Sequence, residues 1–68
     1  MKMIPVSSSD IASIGYENGC LDVQFHRNRL YRYFHVPESV FREFLNAPSK
    51  GQFLHTRIKN HFPFQPLR

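Results

Sequence analysis

At 68 residues the chain has room for one small domain, and nine Lys/Arg against five Asp/Glu set its net charge at +4. A domain this short buries only about 60% of the surface that its unfolded chain exposes. The single cysteine, Cys20, excludes an internal disulfide, and no apolar run approaches the roughly 20 residues that span a bilayer. Seven Phe and three Tyr argue for a folded core rather than disorder. The basic balance favours a polyanionic partner, nucleic acid first, although such a charge also serves solubility alone.

The first segment, Met1 to Ser9, reads as an arm or a short edge strand. It has no apolar stretch of secretory type, and a lone cysteine fits a reducing compartment, so a cytoplasmic location is expected. Next, "SIGYENGCLDVQF" reads as a hairpin turning at Asn18-Gly19, the pair best suited to a type I′ turn because both positions need positive φ. Pairing across that turn sets Tyr16 opposite Leu21 and Ile14 opposite Val23. These four share one face with Phe25, and Asp22 and Gln24 point the other way.

The strand "LYRYF" (Leu30 to Phe34) follows the basic stretch "HRNR". A three-residue loop at Arg27–Arg29 would pair Phe25 with Tyr31 and Val23 with Tyr33, placing both tyrosines on the apolar face. An even-length loop would pair Val23 with Arg32 and push that guanidinium into the core. A one-residue slip moves every side chain to the opposite face, and burying an unpaired charge costs several kcal/mol, so the tyrosine-inward register is favoured. Leu30, Arg32 and Phe34 then lie on the open face with Cys20, Asp22 and Gln24.

"VPESVFREFLNA" reads as a helix opened by Pro37 and carrying the apolar stripe Val40, Phe41, Phe44 and Leu45. "PSKGQFLHTRIKNHF" reads as a second helix. Ser49 and Gln52 stand at capping-box spacing, and Leu54, Ile58 and Phe62 face inward. Pro63 ends it, and "PFQPLR" is an extended tail. The expected fold is α+β: a three-stranded antiparallel meander followed by two helices packed on one sheet face, with residues 10–68 as a single domain.

With these pieces in order the chain resembles the KTSC domain family, a short domain named for the C-terminal region of some lysyl-tRNA synthetases and found also as a stand-alone bacterial or phage protein. The matching residues are Ser13–Tyr16, the "LDVQF" strand, Tyr31-Arg32-Tyr33, Val36-Pro37, and "APSKGQF" leading to "RIKNHFPF". The sequence departs from the family at Leu54–Thr56, where a more polar, asparagine-containing stretch is expected. The resemblance implies a small α+β domain with no established activity and, through the synthetases, a link to RNA.

Catalytic parts are not assembled. The five carboxylates are scattered, and Cys20 and His26 stand six residues apart on one strand face, about 20 Å at strand rise. The histidines have no i, i+4 pair and a lone cysteine makes no zinc knuckle, so neither metal nor cofactor is expected. The basic groups are more informative. Arg27 and Arg29 sit at a hairpin tip, and Arg32 beside Phe34 on the open face could hold a phosphate while a base stacks on the ring. Lys50 and Arg57 would be outer contacts. Arg57 and Lys59 are two apart and so diverge on a helix. Each of these charges also has the plainer reading of a solvated surface group.

The leading expectation is therefore a small non-enzymatic module that binds RNA, tRNA or another structured RNA, through Arg27, Arg29, Arg32, Phe34, Lys50 and Arg57. The alternative is a protein-interaction module that uses Leu30 and Phe34 or a sheet edge, as a monomer or weak homodimer.

Overall fold

Strand Cys20–Phe25 is shared by two hairpins at the centre of the fold. In the computed structural model, which describes residues 1–68, it is the third of five strands: β1 (Met3–Pro5), β2 (Ile11–Glu17), β3 (Cys20–Phe25), β4 (Arg29–Tyr33) and β5 (Phe64–Pro66). They lie in that order across one antiparallel sheet. Helix α1 spans Glu38–Asn46, and α2 (Lys50–Phe53) runs on into a π-helical turn over Leu54–Ile58. The α+β class and the two helices match the sequence reading, but the meander has five strands where three were expected. The added strands come from the segment read as an arm or short edge strand, where the strand alternative holds, and from the one read as an extended tail. Strands β2 and β4 would otherwise present unpaired backbone groups at both sheet edges, and the flanking segments pair with them. Pro5 and Pro66 are compatible with this because both strands are outermost.

The first hairpin turns at Asn18 (φ 51°) and Gly19 (φ 81°), with Tyr16 opposite Leu21 and Ile14 opposite Val23, as the pattern predicts. In the second hairpin the tyrosines point to the helix side, again as predicted, but the pairing is offset. Tyr31 faces Val23 and Tyr33 faces Leu21, so the loop is His26–Asn28 and Arg29 is the first residue of β4, opposite Phe25. The expected loop at Arg27–Arg29 thus moves by one residue, and the expected partner of Phe25 moves by two, from Tyr31 to Arg29. The turn is tight because Arg27 (φ 71°) and Asn28 (φ 65°) both adopt left-handed backbone, a region that asparagine tolerates well. A two-residue offset preserves side-chain alternation, so the tyrosines stay inward.

Gly15 has a packing reason. A Cβ there would stand 2.6 Å from Met3 Sδ and 2.8 Å from the Lys2 carbonyl oxygen, so only glycine lets the start of the chain close against β2.

The core lies between the sheet and the helices. Ile11, Ile14, Leu21, Val23 and Tyr33 supply it from the sheet, Val36 from the connection, Phe44 from α1, and Leu54 and Ile58 from the π turn. Val40, Phe41 and Leu45 of the α1 stripe pack against it half-buried. Tyr16 stacks on Phe41 with ring centroids 5.1 Å apart, and its hydroxyl donates to the Val36 carbonyl at 2.5 Å. Ser49 Oγ accepts from the Gln52 N–H at 3.2 Å, which fixes the start of α2.

The second helical stretch ends at Ile58, four residues short of the expected Phe62. The Lys59 N–H donates to the Leu54 carbonyl at 2.7 Å, an i to i+5 bond that widens the last turn. Asn60 then takes φ 70° and reverses the chain, so that β5 returns beside β4. No helix is long and apolar enough to cross a membrane.

Candidate nucleic-acid interface

The turn offset decides where the arginines go. Arg27 stays exposed at the hairpin tip. Arg29, paired with Phe25, starts on the helix side of the sheet, above Tyr31. Both line a cleft of about 750 Å³ between the end of the sheet and the π turn. Phe25, Tyr31 and Tyr33 form its aromatic wall and floor, and His55 and Lys59 stand on the opposite side. The rings are in contact: Phe25 meets Tyr31 edge-on at 5.5 Å, and Tyr31 stacks on Phe64 at 5.5 Å. Asp10 supplies the one carboxylate of the lining.

The other expected site residues are occupied elsewhere. Arg32 lies on the open face opposite Asp22. Its Nε and Nη2 donate to the two Asp22 carboxylate oxygens at 2.7 and 2.9 Å. That carboxylate raises the Arg32 guanidinium further above its usual range, through the hydrogen bond first and charge second. Arg57 pairs with Glu43 at 2.9 Å and covers the Phe53 ring at 5.1 Å. Lys50 Nζ donates to the Ala47 carbonyl at 2.6 Å. Phe34 and Leu30 are half-buried and stand outside the core, on the open side of the sheet. The Phe34 N–H donates to the Pro63 carbonyl, and the Leu30 carbonyl accepts from Leu67 and Arg68, so the C-terminal segment runs alongside both. Arg68 in turn donates to Gln24 Oε1 at 2.6 Å.

Of the nine Lys/Arg side chains, five are therefore engaged: Arg32, Arg42, Lys50, Arg57 and Arg68. The remaining four, Lys2, Arg27, Arg29 and Lys59, make no side-chain hydrogen bond or ion pair, and three of these four line the one cleft. The sequence pattern points to Arg27 and Arg29 but puts both at the hairpin tip, beside the open face. It does not single out Lys59, because a regular α-helix spreads Arg57 and Lys59 around its circumference, nor His55, which has the pattern of a surface histidine. The π turn does separate them: Arg57 goes to Glu43 on α1, and Lys59 goes to the cleft.

Tyr33 forms the deepest aromatic part of this wall and is 4% exposed. Burial, followed by the neighbouring charge of Tyr31 when ionised, raises its phenol above the ordinary 10.0. Between the unfolded and the raised folded value the native state binds more protons than the unfolded chain, so stability falls as pH rises through that window. Below about pH 10 this contribution is fully present. Thermal melts followed by circular dichroism from about pH 8.5 to 11 are expected to show a falling limb above about pH 10, and Tyr33→Phe is expected to flatten it. An unchanged limb in the variant would assign the loss to other groups.

No group of three or more His, Cys, Asp or Glu side chains converges as a metal site. The cleft is lined by aromatic rings and by cations that have no internal partner.

Comparison with known proteins agrees with this fold. A profile of the KTSC domain matches residues 7–62. A crystal structure of a KTSC domain protein from Yersinia pestis superposes with a TM-score of 0.92 at 40% identity, covering 98% of this chain and 97% of that one. A lysine–tRNA ligase of Nostoc sp. is 45% identical over 47 residues, 69% of this chain and 8% of the ligase. The Nostoc punctiforme lysine–tRNA ligase is 37% identical over 67 residues, 96% of this chain and 12% of the ligase. The chain therefore spans only a small fraction of the length of these ligases. A match over most of its length, together with the shared fold, places the chain in the KTSC domain family.

Proposed function

We propose that this KTSC domain is a non-catalytic RNA-binding module whose contact surface is the β3–β4 turn and the cleft beneath it. The observation that carries this reading is the distribution of unpaired charge. Four of the five carboxylates lie in ion pairs within the fold, with Met1, Arg32, Arg42 and Arg57 as partners. Three of the four free cations gather around one aromatic-lined cleft. Cations with no internal partner attract phosphate at little cost in broken contacts, and aromatic rings beside them suit unstacked bases. The lysine–tRNA ligases that carry a similar segment make tRNA a natural first ligand to test.

Of the residues proposed from sequence, Arg27 and Arg29 keep a phosphate-binding role here. Arg32, Lys50 and Arg57 act first in the fold, and Phe34 lies outside the cleft. Fluorescence anisotropy with tRNA and with a single-stranded RNA, between 50 and 200 mM salt, tests the reading. With Arg27, Arg29 and Lys59 as the phosphate contacts, the single strand is expected to give a log–log slope of about −2. Affinity that stays flat with salt would sink it. A salt-independent protein partner lost on Leu30→Ala or Phe34→Ala would favour the open face instead.

A further inference from the structure

We propose that the cleft between the β3–β4 turn and the π turn is a pocket for one unpaired nucleotide, with its base against Phe25 and Tyr31 and its phosphate between Arg27, Arg29 and Lys59. The proposal rests on the RNA-binding reading for the identity of the strand and adds where and how that strand is held. Three independent features converge on the cleft.

Its volume, about 750 Å³, lies inside the roughly 300–1,000 Å³ range of small-ligand sites. A double helix does not enter a space of this size, whereas a splayed-out nucleotide does, which makes the ligand an unpaired end or loop residue.

Its lining is divided by chemistry. Phe25 and Tyr31, on neighbouring strands β3 and β4, meet edge to face, so the wall offers both a ring face and a ring edge to a planar group. The cations stand at the rim on two separate elements: Arg27 and Arg29 at the turn, Lys59 at the end of the π turn. An anion placed between them gains from both sides. Asp10, the lone carboxylate of the lining, pairs with no cation and leaves the cleft with an excess of positive charge. It also offers an acceptor to a sugar hydroxyl or an exocyclic amine.

The local backbone is irregular on both walls. Arg27 and Asn28 occupy left-handed backbone, and the opposite wall is a π-helical turn, a form often found at functional sites. Lys59 leaves that turn in extended backbone, and it lines the cleft together with His55.

The test uses the full 68-residue chain and four probes: inorganic phosphate, ribose 5-phosphate, AMP and a single-stranded RNA octamer. Binding is read by amide chemical shifts and by anisotropy of the labelled octamer. AMP is expected to bind at least about tenfold more tightly than ribose 5-phosphate, as base–aromatic stacking implies, and to shift Arg29, Tyr31, His55 and Lys59 amides. The octamer is expected to bind more tightly than AMP; the reverse order would assign the same pocket to free nucleotides. Arg29→Glu and Lys59→Glu are expected to weaken AMP and octamer by about tenfold or more, and Lys2→Glu, an equal charge change just before the far edge strand, by less than about twofold. All three positions are surface positions, so the variants keep the fold.

Several results overturn the proposal: AMP no tighter than ribose 5-phosphate, equal losses in Lys2→Glu and Arg29→Glu, or no binding of any probe. RNA binding with the expected salt slope but indifferent to Arg29→Glu and Lys59→Glu would leave the RNA-binding reading standing and remove the pocket.

Discussion

Phe44→Ala is expected to leave the chain largely unfolded at 25 °C. Phe44 is fully buried, the largest side chain in the core to be so, and its ring stacks on Phe53 with centroids 5.2 Å apart and planes 14° from parallel. It is the residue of α1 that reaches the core proper, so the ring ties α1 both to the sheet and to α2. Removing a buried Phe side chain costs about 3–5 kcal/mol, the lost transfer energy plus the cavity left behind. A single core of this size supplies only about 3–5 kcal/mol of net stability, with no disulfide to add to it. The loss is thus comparable to the whole. Far-UV circular dichroism and amide dispersion in an NMR spectrum are the readouts. Phe44→Leu keeps most of the volume and is expected to fold, with a reduced melting temperature. A cooperative Phe44→Ala melt close to that of the parent would mean that α1 does not depend on this ring.

The same core shows what could be read from residue order alone. Alternation from Ile14 to Phe25 around Asn18-Gly19 determines the first hairpin outright, because the turn pair and the apolar pattern agree. The helical stripe that contains Phe44 was equally visible. The outer strands were harder to read, the first only as an alternative to a loose arm and the last not at all, because Met3–Pro5 and Phe64–Pro66 have three residues each and contain proline. Such segments become strands only when a neighbouring edge is there to pair with. The second hairpin shows a subtler limit. The hydrophobic pattern selects which tyrosine-facing parity is allowed, but registers two residues apart share that parity. Choosing between them requires the turn backbone at Arg27 and Asn28 and the partner of Asp22, both of which are tertiary facts. The candidate site moved with that choice. Arg29 passed from the tip to the helix side, and Lys59 joined it through a π turn that no periodicity announces.

Arg32→Ala is expected to destabilise the protein more than Asp22→Ala, by a margin large enough to see in denaturant titrations. The two residues face each other on β3 and β4, joined by two parallel N–H to oxygen bonds. They are not equally buried. The Asp22 side chain is 6% exposed and the Arg32 side chain 37%. Truncating Arg32 strands a carboxylate away from water without its partner. The partly exposed guanidinium keeps this loss below that of a fully buried pair, and the stranded carboxylate makes it the larger of the two losses. Truncating Asp22 instead leaves a guanidinium that water can already reach, so the cost should be the smaller one. The pair also discriminates between registers. In the alternative pairing, Phe25 with Tyr31, Asp22 would face Phe34 and Arg32 would face Gln24, leaving the buried carboxylate without a cation. The double variant Arg32→Leu/Asp22→Leu is therefore expected to recover much of the stability lost in Arg32→Ala while losing register specificity, seen as broadened or doubled β4 amide resonances. Equal losses in the two alanine variants would show that the carboxylate is hydrated in solution and that another contact sets the register. RNA affinity provides a further check, since a guanidinium held by Asp22 has little left to offer a phosphate. Arg32 and Asp22 also lie on the face away from the cleft, so Asp22→Ala and Arg32→Ala, each at a temperature where the variant stays folded, should leave affinity within about twofold of the parent.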